Sequence, residues 1–484
     1  MTVVQVRMIL HIVGAFFMFF SLSFLPPLGV SWYFEDAQEG IFSLAFALVF
    51  LLGWVIWMPF REVRQELKVR DGFLVVSCCW IAVSLAGAVP LVLAKQPVMS
   101  FTDAVFECVS GLTTTGATVL VGLDQLPPSI LYYRQQLQWL GGMGIVVLAV
   151  AVLPLLRIGG MQLYRAELPG PMKDVKLTPR IAQTAKALWG VYLGITVACA
   201  LSFWAAGMSW FDAIGHAFST VSTGGFSTHD ASFAYFNSPL IEGLAVGFMA
   251  ISGINFAVHF DAMRKLRFPL YWQDSEVRTY CGLLLTLALV VVAALWWNGL
   301  TLGESARKGV FQSISFMTST GFTTADYSLW PAFVPVLLIF SVFVGGCAGS
   351  TAGGLKVIRV LLLYKQGVRE ILRLIHPQAE IPVKLGNTPV PTRVVEAVWG
   401  FFSLYVAVFA LIMILMMVSG LDQVTAFSAV ATCINNLGPG LGKVTYNFAS
   451  LPASAKWLAS LAMLLGRLEV FTLLVLLSPA YWKS

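Results

Sequence analysis

"FTDAVFECVSGLTTTGAT", residues 101–118, joins two kinds of material. Its first part is apolar but far too short to cross a bilayer, whose ~30 Å core takes about 20 helical residues. Its second part sets three consecutive threonines, Thr113–Thr115, between Gly111 and Gly116, which is poor helix interior. The same plan recurs as "WFDAIGHAFSTVSTGGFS" (210–227), "ARKGVFQSISFMTSTGFT" (306–323) and "VTAFSAVATCINNLGPGL" (424–441). Aligning Asp103 with Asp212 superposes Gly116 on Gly225, and Gly321 and Gly438 take the same place, at intervals of 109, 96 and 117 residues. "TGGF" also allows Gly224, but Gly225 makes Phe226 match Phe322 and Ser227 match Thr118 and Thr323. A unit recurring near this period is an internal repeat.

The surroundings are those of a membrane protein. Of 484 residues, 58% are hydrophobic and 11% charged, too few charges for a soluble surface. The apolar runs are helical in length, and the ~10-residue alternation of a β-barrel is not evident. The first run reads as retained rather than cleaved. Ten spans are expected, with cores near 8–28, 41–60, 72–94, 130–156, 182–206, 239–260, 278–298, 331–363, 394–418 and 455–480. Loops 61–70, 157–186, 263–278 and 356–393 carry 21 of the 30 Lys and Arg, and Arg7 and Lys483 raise this to 23. Six lie on the other side, and Arg467 sits inside an apolar run. The positive-inside rule makes both termini cytoplasmic.

Each repeat therefore reads as span, short helix, glycine turn, span. Irregular backbone at membrane depth is tolerated only when buried in protein or lining water, and four such elements meet that condition together around one axis, as a pore. The carbonyl ends of the short helices favour a cation there. Asp103, Asp212, Glu304 and Asp422 lie near the helix starts, where acids cap helices and also concentrate cations. A dehydrated K⁺ needs oxygens in place of its water, and successive backbone carbonyls supply them. Glycine adopts the required conformation cheaply. The expected K⁺-binding filter comprises Thr113, Thr114, Thr115 and Gly116; Ser222, Thr223, Gly224 and Gly225; Thr318, Ser319, Thr320 and Gly321; and Asn435, Asn436, Leu437 and Gly438. Thr114, Thr115 and Gly116 are expected closest to the ion. The fourth copy departs from the threonine pattern.

A second glycine-rich run is "VFVGGCAGSTAGGLKVIRV" (342–360). Broken helices in membranes line ion paths, although small residues also serve close helix packing. The run lacks the G-K-[ST] ending of a phosphate-binding loop. Arg467 lies ten residues from Trp457, ~15 Å along a helix. A charge so deep should face the pore or a polar partner, with the carbonyls of 345–354 and Glu469 as candidates.

The chain resembles the TrkH/KtrB family of potassium-uptake proteins, and within it the bacterial TrkH branch. The likeness rests on the four turns, "GGMGI" (141–145), "ELPGPMKDVKLTPRIAQTAKALW" (167–189), "GGCAGSTAGGLK" (345–356) and "NNLGPGLG" (435–442). It implies an all-α polytopic membrane protein. Four fused K⁺-channel-like units of span, pore helix, filter and span (71–180, 181–274, 275–392 and 393–484) would surround one pore, with two extra N-terminal transmembrane helices (1–70). All four glycine places hold Gly, which by the resemblance favours K⁺ and Rb⁺. The resemblance also implies that Gly345, Gly346, Gly349, Ser350, Thr351, Gly353 and Gly354 form an intramembrane gating loop, with Arg467 as its second element. It implies a homodimer in the bacterial inner membrane and a cytosolic nucleotide-binding regulatory subunit of the TrkA type. No G-x-G-x-x-G is present, so control by NAD(H) or ATP would come through that partner.

Other chemistry finds little footing. Cys78, Cys79, Cys108, Cys199, Cys281, Cys347 and Cys433 show neither metal spacing nor a paired extracellular pattern. His11, His216, His229, His259 and His376 form no catalytic or metal constellation. No enzyme activity, transition metal, cofactor or nucleic-acid partner is expected of this chain. The competing reading is a secondary transporter coupling K⁺ to H⁺ or Na⁺. Inverted repeats and midplane acids mark many such folds; here the repeats are parallel, and Glu469 stands nearly alone.

Overall fold

A computed structural model describes residues 3–62, 69–144, 181–386 and 388–482. Two N-terminal segments come first: α1 (Val3–Ser21), continued by α2 (Leu25–Phe34), and α3 (Glu39–Trp57). They cross at a pair of glycines. A Cβ on Gly14 would lie 2.7 Å from the Gly53 carbonyl oxygen, and one on Gly53 would lie 2.8 Å from that of Gly14. Small residues at the crossing let the backbones touch, the usual basis of helix association in lipid. The pair rests on the first repeat through Phe24 and Phe42, whose rings lie 5.8 and 5.6 Å from Tyr133.

Four units follow. The first is α4 (Val69–Gly87), the short α5 (Phe101–Leu112) and α6 (Pro128–Gly142). The second is α7 (Ile181–Ala205), α8 (Trp210–Val221) and the bent pair α9 (Pro239–Ser252) and α10 (Phe256–Lys265). The third is α11 (Ser275–Trp297), α12 (Leu302–Met317) and α13 (Phe333–Val344), then a long loop into α14 (Val357–Ile375). A two-stranded hairpin pairs Lys384 with Pro389 and Leu385 with Thr388 before the fourth unit. That unit is α15 (Thr392–Val418), the short α16 (Gln423–Ile434) and the bent pair α17 (Ala453–Arg467) and α18 (Phe471–Leu477).

Among the described residues, six helices are long and apolar enough to cross a membrane, and two bent pairs raise this to eight. Three expected spans are not straight. The 239–260 segment turns by 96° between α9 and α10, and the 455–480 segment by 112° between α17 and α18. The 331–363 segment ends as helix at Val344 and resumes at Val357. The cause is local: a glycine stands next to each stop, Gly253 and Gly345 just after the last helical residue and Gly466 just before it, and the backbone that follows is irregular. In the first unit α6 also stops after a glycine pair, Gly141–Gly142. The rest of that expected span, and most of 167–189, lies outside the described residues.

Two apolar cores flank the centre. One joins the N-terminal helices to the first and fourth units; the other joins the second and third. Between them the four glycine turns meet.

Candidate functional site

Each short helix is started by a side-chain cap. Ser100 Oγ accepts from Asp103 N at 3.1 Å, Ser209 Oγ from Asp212 N at 3.0 Å and Thr301 Oγ1 from Glu304 N at 3.3 Å. The hydroxyls donate back to the acids, as Ser100 Oγ does to Asp103 Oδ2 at 2.8 Å and Ser209 Oγ to Asp212 Oδ2 at 2.7 Å. Asp422 is itself the cap, accepting from Thr425 N at 3.0 Å. All four acids thus take part in capping.

The helix ends are alike too. Thr115 N donates to Ser110 O, Gly224 N to Ser219 O and Thr320 N to Ser315 O, each at 2.8 Å, and Leu437 N to Thr432 O at 2.9 Å. This is a Schellman-type closure, and its left-handed residue is Thr114 (φ 57°), Thr223 (52°), Ser319 (54°) or Asn436 (55°). Two residues on, Gly116, Gly225, Gly321 and Gly438 have φ of 79°, 81°, 85° and 96°. The backbone register therefore pairs Gly225, and not Gly224, with the other three.

These glycines close a ring. A Cβ on Gly116 would strike the Gly224 carbonyl oxygen, one on Gly225 that of Thr320, one on Gly321 that of Leu437, and one on Gly438 that of Thr115. Each loop thus abuts the next, and the fourth returns to the first. The oxygens involved belong to one position in all four copies. Glycine is required twice over, by its φ and by the lack of space.

The odd fourth copy also finds its reason. Asn436 donates through Nδ2 to Thr115 Oγ1 at 3.0 Å and to Met463 O at 3.1 Å, tying loop 4 to loop 1. Asn435 Oδ1 accepts from Tyr405 Oη at 2.9 Å. Leu437 points into the apolar core of units two and three. In loops 1 and 3 the bracing is internal: Thr113 to Thr115 and Thr318 to Thr320, hydroxyl to hydroxyl at 2.8 Å.

Directly against the ring lies the 345–356 segment. Gly353 N donates to Ser319 Oγ at 2.5 Å and Gly354 N to Asn435 O at 3.2 Å. Thr351 Oγ1 donates to Val221 O at 3.0 Å and Ser252 O at 3.3 Å. Cys347 N donates to Gly253 O at 2.8 Å, and Gly349 O accepts from Phe256 N at 3.0 Å. Ser350 Oγ closes a turn on Cys347 O at 2.6 Å. Gly345 (φ 71°), Gly349 (75°) and Gly354 (79°) are left-handed, while a Cβ on Gly346 would meet Ala352 Cβ at 2.7 Å.

Arg467 completes this layer. Its guanidinium donates to Thr351 O at 3.3 Å, to Gly142 O at 2.9 Å, to Gly141 O, and at 3.5 Å to Thr114 Oγ1. The carbonyls left over at the end of α6 are thus held by a cation, which also suits the negative end of that helix. The other named candidate, Glu469, holds Arg359 at 2.6 Å.

Several site residues escaped the reading of the sequence. Glu276 Oε1 accepts from Ala348 N at 2.7 Å and Ile358 N at 3.1 Å, tying the early part of the 345–356 segment to the first turn of α14. Arg134 and Glu107 pair at 2.7 Å, both essentially unexposed, and Glu107 also holds Thr118 and Val119 behind loop 1. His216 Nε2 meets Ser227 Oγ at 2.9 Å at the matching place behind loop 2. The available signal was "YYRQQLQWL" (132–140), four polar side chains within an apolar run.

A helical membrane protein with a closed ring of re-entrant loops at its centre belongs among the ion-transport folds, and comparison with known proteins agrees. The sequence model of the TrkH family, described as cation transport protein, matches residues 39–484. The chain belongs to the TrkH family. It is 52% identical over 482 residues to the Trk system potassium uptake protein TrkH of Halomonas elongata, covering 99% of this chain and 100% of that one. It is 50% identical over 480 residues to its namesake in Escherichia coli K12, covering 99% of each. The crystal structure of the potassium transporter TrkH from Vibrio parahaemolyticus superposes with a TM-score of 0.91 at 49% identity, over 99% of this chain and 100% of that one.

Proposed function

We propose that this protein takes up K⁺ across the bacterial inner membrane through a gated, channel-like pore, driven by the membrane potential. The observation that carries this is the ring: four loops of one backbone conformation, each glycine set against the carbonyl of the next loop. Such a ring presents backbone oxygens to a dehydrated ion. The relatives named as potassium uptake proteins supply the cation.

The segment 345–356 and Arg467 form the gate. They occupy the face of the ring where the helices break, and a fixed positive charge there opposes cation flow. Opening must release the carbonyls of Gly141, Gly142, Ser252 and Gly253 from Arg467, Thr351 and Cys347. Regulation comes from a cytosolic nucleotide-binding subunit acting on the basic loops, which carry most of the Lys and Arg. The protein works as a homodimer with both termini cytoplasmic. The competing mechanism is symport of K⁺ with H⁺ or Na⁺. Against it, the buried carboxylates of Glu107 and Glu276 are engaged by Arg134 and by backbone amides.

The test is the reversal potential of the purified protein in liposomes under separate K⁺ and pH gradients. A potential following K⁺ alone supports the pore. A shift with the proton gradient overturns it in favour of symport, and equal K⁺ and Na⁺ permeability overturns the filter.

A further inference from the structure

Loop 2 carries an anomaly. At the place filled by Thr115, Thr320 and Leu437 it has Gly224, the residue before the ring glycine. The backbone does not demand this, because Gly224 is not in the left-handed region. Space does. A Cβ on Gly224 would fall 2.5 Å from Gln138 Oε1 and 2.8 Å from its Nε2.

Gln138 projects from α6 and is completely buried. Its Nε2 donates to Gly224 O at 2.5 Å, and its Oε1 accepts from Phe226 N at 3.0 Å. The amide orientation follows, since Phe226 N needs an acceptor. One side chain therefore grips the residues on both sides of Gly225. Its neighbours act on the same strand: Gln135 Nε2 donates to Phe226 O at 3.3 Å, and Arg134 reaches Ser227 O at 3.4 Å while lying 4.2 Å over the Phe226 ring.

Loops 1 and 3 brace themselves through Thr113–Thr115 and Thr318–Thr320. In loop 2 the first of these places is Ser222, which bonds Ser219 O at 3.3 Å, and the second has no side chain. The brace comes instead from the neighbouring unit. The Gly224 carbonyl lies against Gly116, so its position bears on loop 1 as well.

We propose that Gln138 is a positioning residue that sets K⁺ over Na⁺ discrimination by fixing loop 2, and that Gly224 lacks a side chain to admit its carboxamide. This rests on the filter reading above. Selectivity depends on the number and placement of carbonyl oxygens at the ion, and an unbraced carbonyl adapts to a smaller ion.

The test measures K⁺ and Na⁺ uptake into liposomes by wild type, Gln138→Glu, Gln138→Ala and the double variant Gln138→Ala/Gly224→Ser. Gln138→Glu keeps size and the acceptor for Phe226 N and, assayed at a pH where it is ionised, cannot donate to Gly224 O. It is expected to raise the Na⁺/K⁺ uptake ratio about tenfold, the factor that one net hydrogen bond is worth. Gln138→Ala should raise it further, and the added serine should recover part of the loss. Amounts of folded protein are matched by size-exclusion chromatography, and Gln138→Glu keeps the test alive if the alanine variant does not assemble. An unchanged ratio in Gln138→Glu overturns this inference alone. A wild type that takes up both ions equally overturns the filter reading, and this one with it.

Discussion

The ring and the layer against it are built on opposite plans. In the ring, four loops adopt one backbone even though the fourth lacks the threonine pattern, down to the same helix-closing bond and a left-handed residue at the same position. In the layer beside it, units two, three and four each break their second spanning segment, and among the described residues the third inserts the long 345–356 segment and the fourth supplies the arginine. Coordination by backbone oxygens needs equal geometry and is indifferent to side chains. A gate needs one element that can move, and four identical ones would have to move together.

The largest effect should come from breaking the equality of the ring. Gly116→Ala places a methyl group on the Gly224 carbonyl and forces a strained φ. K⁺ uptake into liposomes should fall about 100-fold, the factor corresponding to 2–3 kcal/mol of misplacement. Gly225→Ala, Gly321→Ala and Gly438→Ala should do the same, each through its own neighbour. A single tolerant position would show that the ring is not functionally fourfold.

Breaking the asymmetric layer should act in the other direction. Arg467→Ala removes the bond to Thr351 O in the segment together with those to Gly141 O, Gly142 O and Thr114 Oγ1, and a deletion within 347–353 shortens the segment. Both should raise K⁺ flux, by about tenfold if only one net hydrogen bond's worth of bias is lost. Unchanged flux in both would sink the gate.

Much of the ring was legible because its signals are local. Glycine, threonine and capping residues recur at fixed offsets, and a backbone that needs left-handed residues announces them. Even the choice between Gly224 and Gly225 was open to argument from the residues that follow. The helix breaks were harder. "ISGIN" (251–255) and "LLGRLE" (464–469) contain one glycine each within apolar runs that are long enough to span, and hydropathy averages over such a break. Long-range braces were hidden for a different reason. Glu276 serves residues 72 and 82 positions away, and Gln138 serves a loop 86 away; nothing local tells an amide that packs from one that positions.

Glu276 offers a finer probe of the layer. Gln at this position keeps the size but gives up the charge that strengthens its bonds to Ala348 N and Ile358 N. About half of that stabilisation should go, and flux should rise about threefold, less than for Arg467→Ala. A rise equal to that of Arg467→Ala would place the main latch at Glu276 instead.

The smallest effect concerns the ring's other face. There His229, in the stretch beyond loop 2, meets Asp124 beyond loop 1 through Nδ1 and Asp212 at 3.5 Å through Nε2. Tyr235 stacks on the imidazole, His216 lies 6.5 Å away ring to ring, and Asp230 N reaches Asp124 at 3.4 Å. Burial works to lower the His229 pKa, but the hydrogen bonds and charges of Asp212 and Asp124 outweigh it and hold it above the ordinary value. A raised imidazole pKa stabilises the fold while the ring is protonated. That contribution is complete below the unfolded value of ~6.5 and is lost as pH climbs through the higher folded value. The clamp between loops 1 and 2 should therefore loosen on the alkaline side. Thermal unfolding of the purified protein should shift down by a few degrees as pH rises above ~6.5, and His229→Gln should flatten that dependence. Because Asp124 is 45% exposed, solvent screening keeps the effect small beside those of the ring and the gate. An equal pH dependence in His229→Gln would assign the titration to another group.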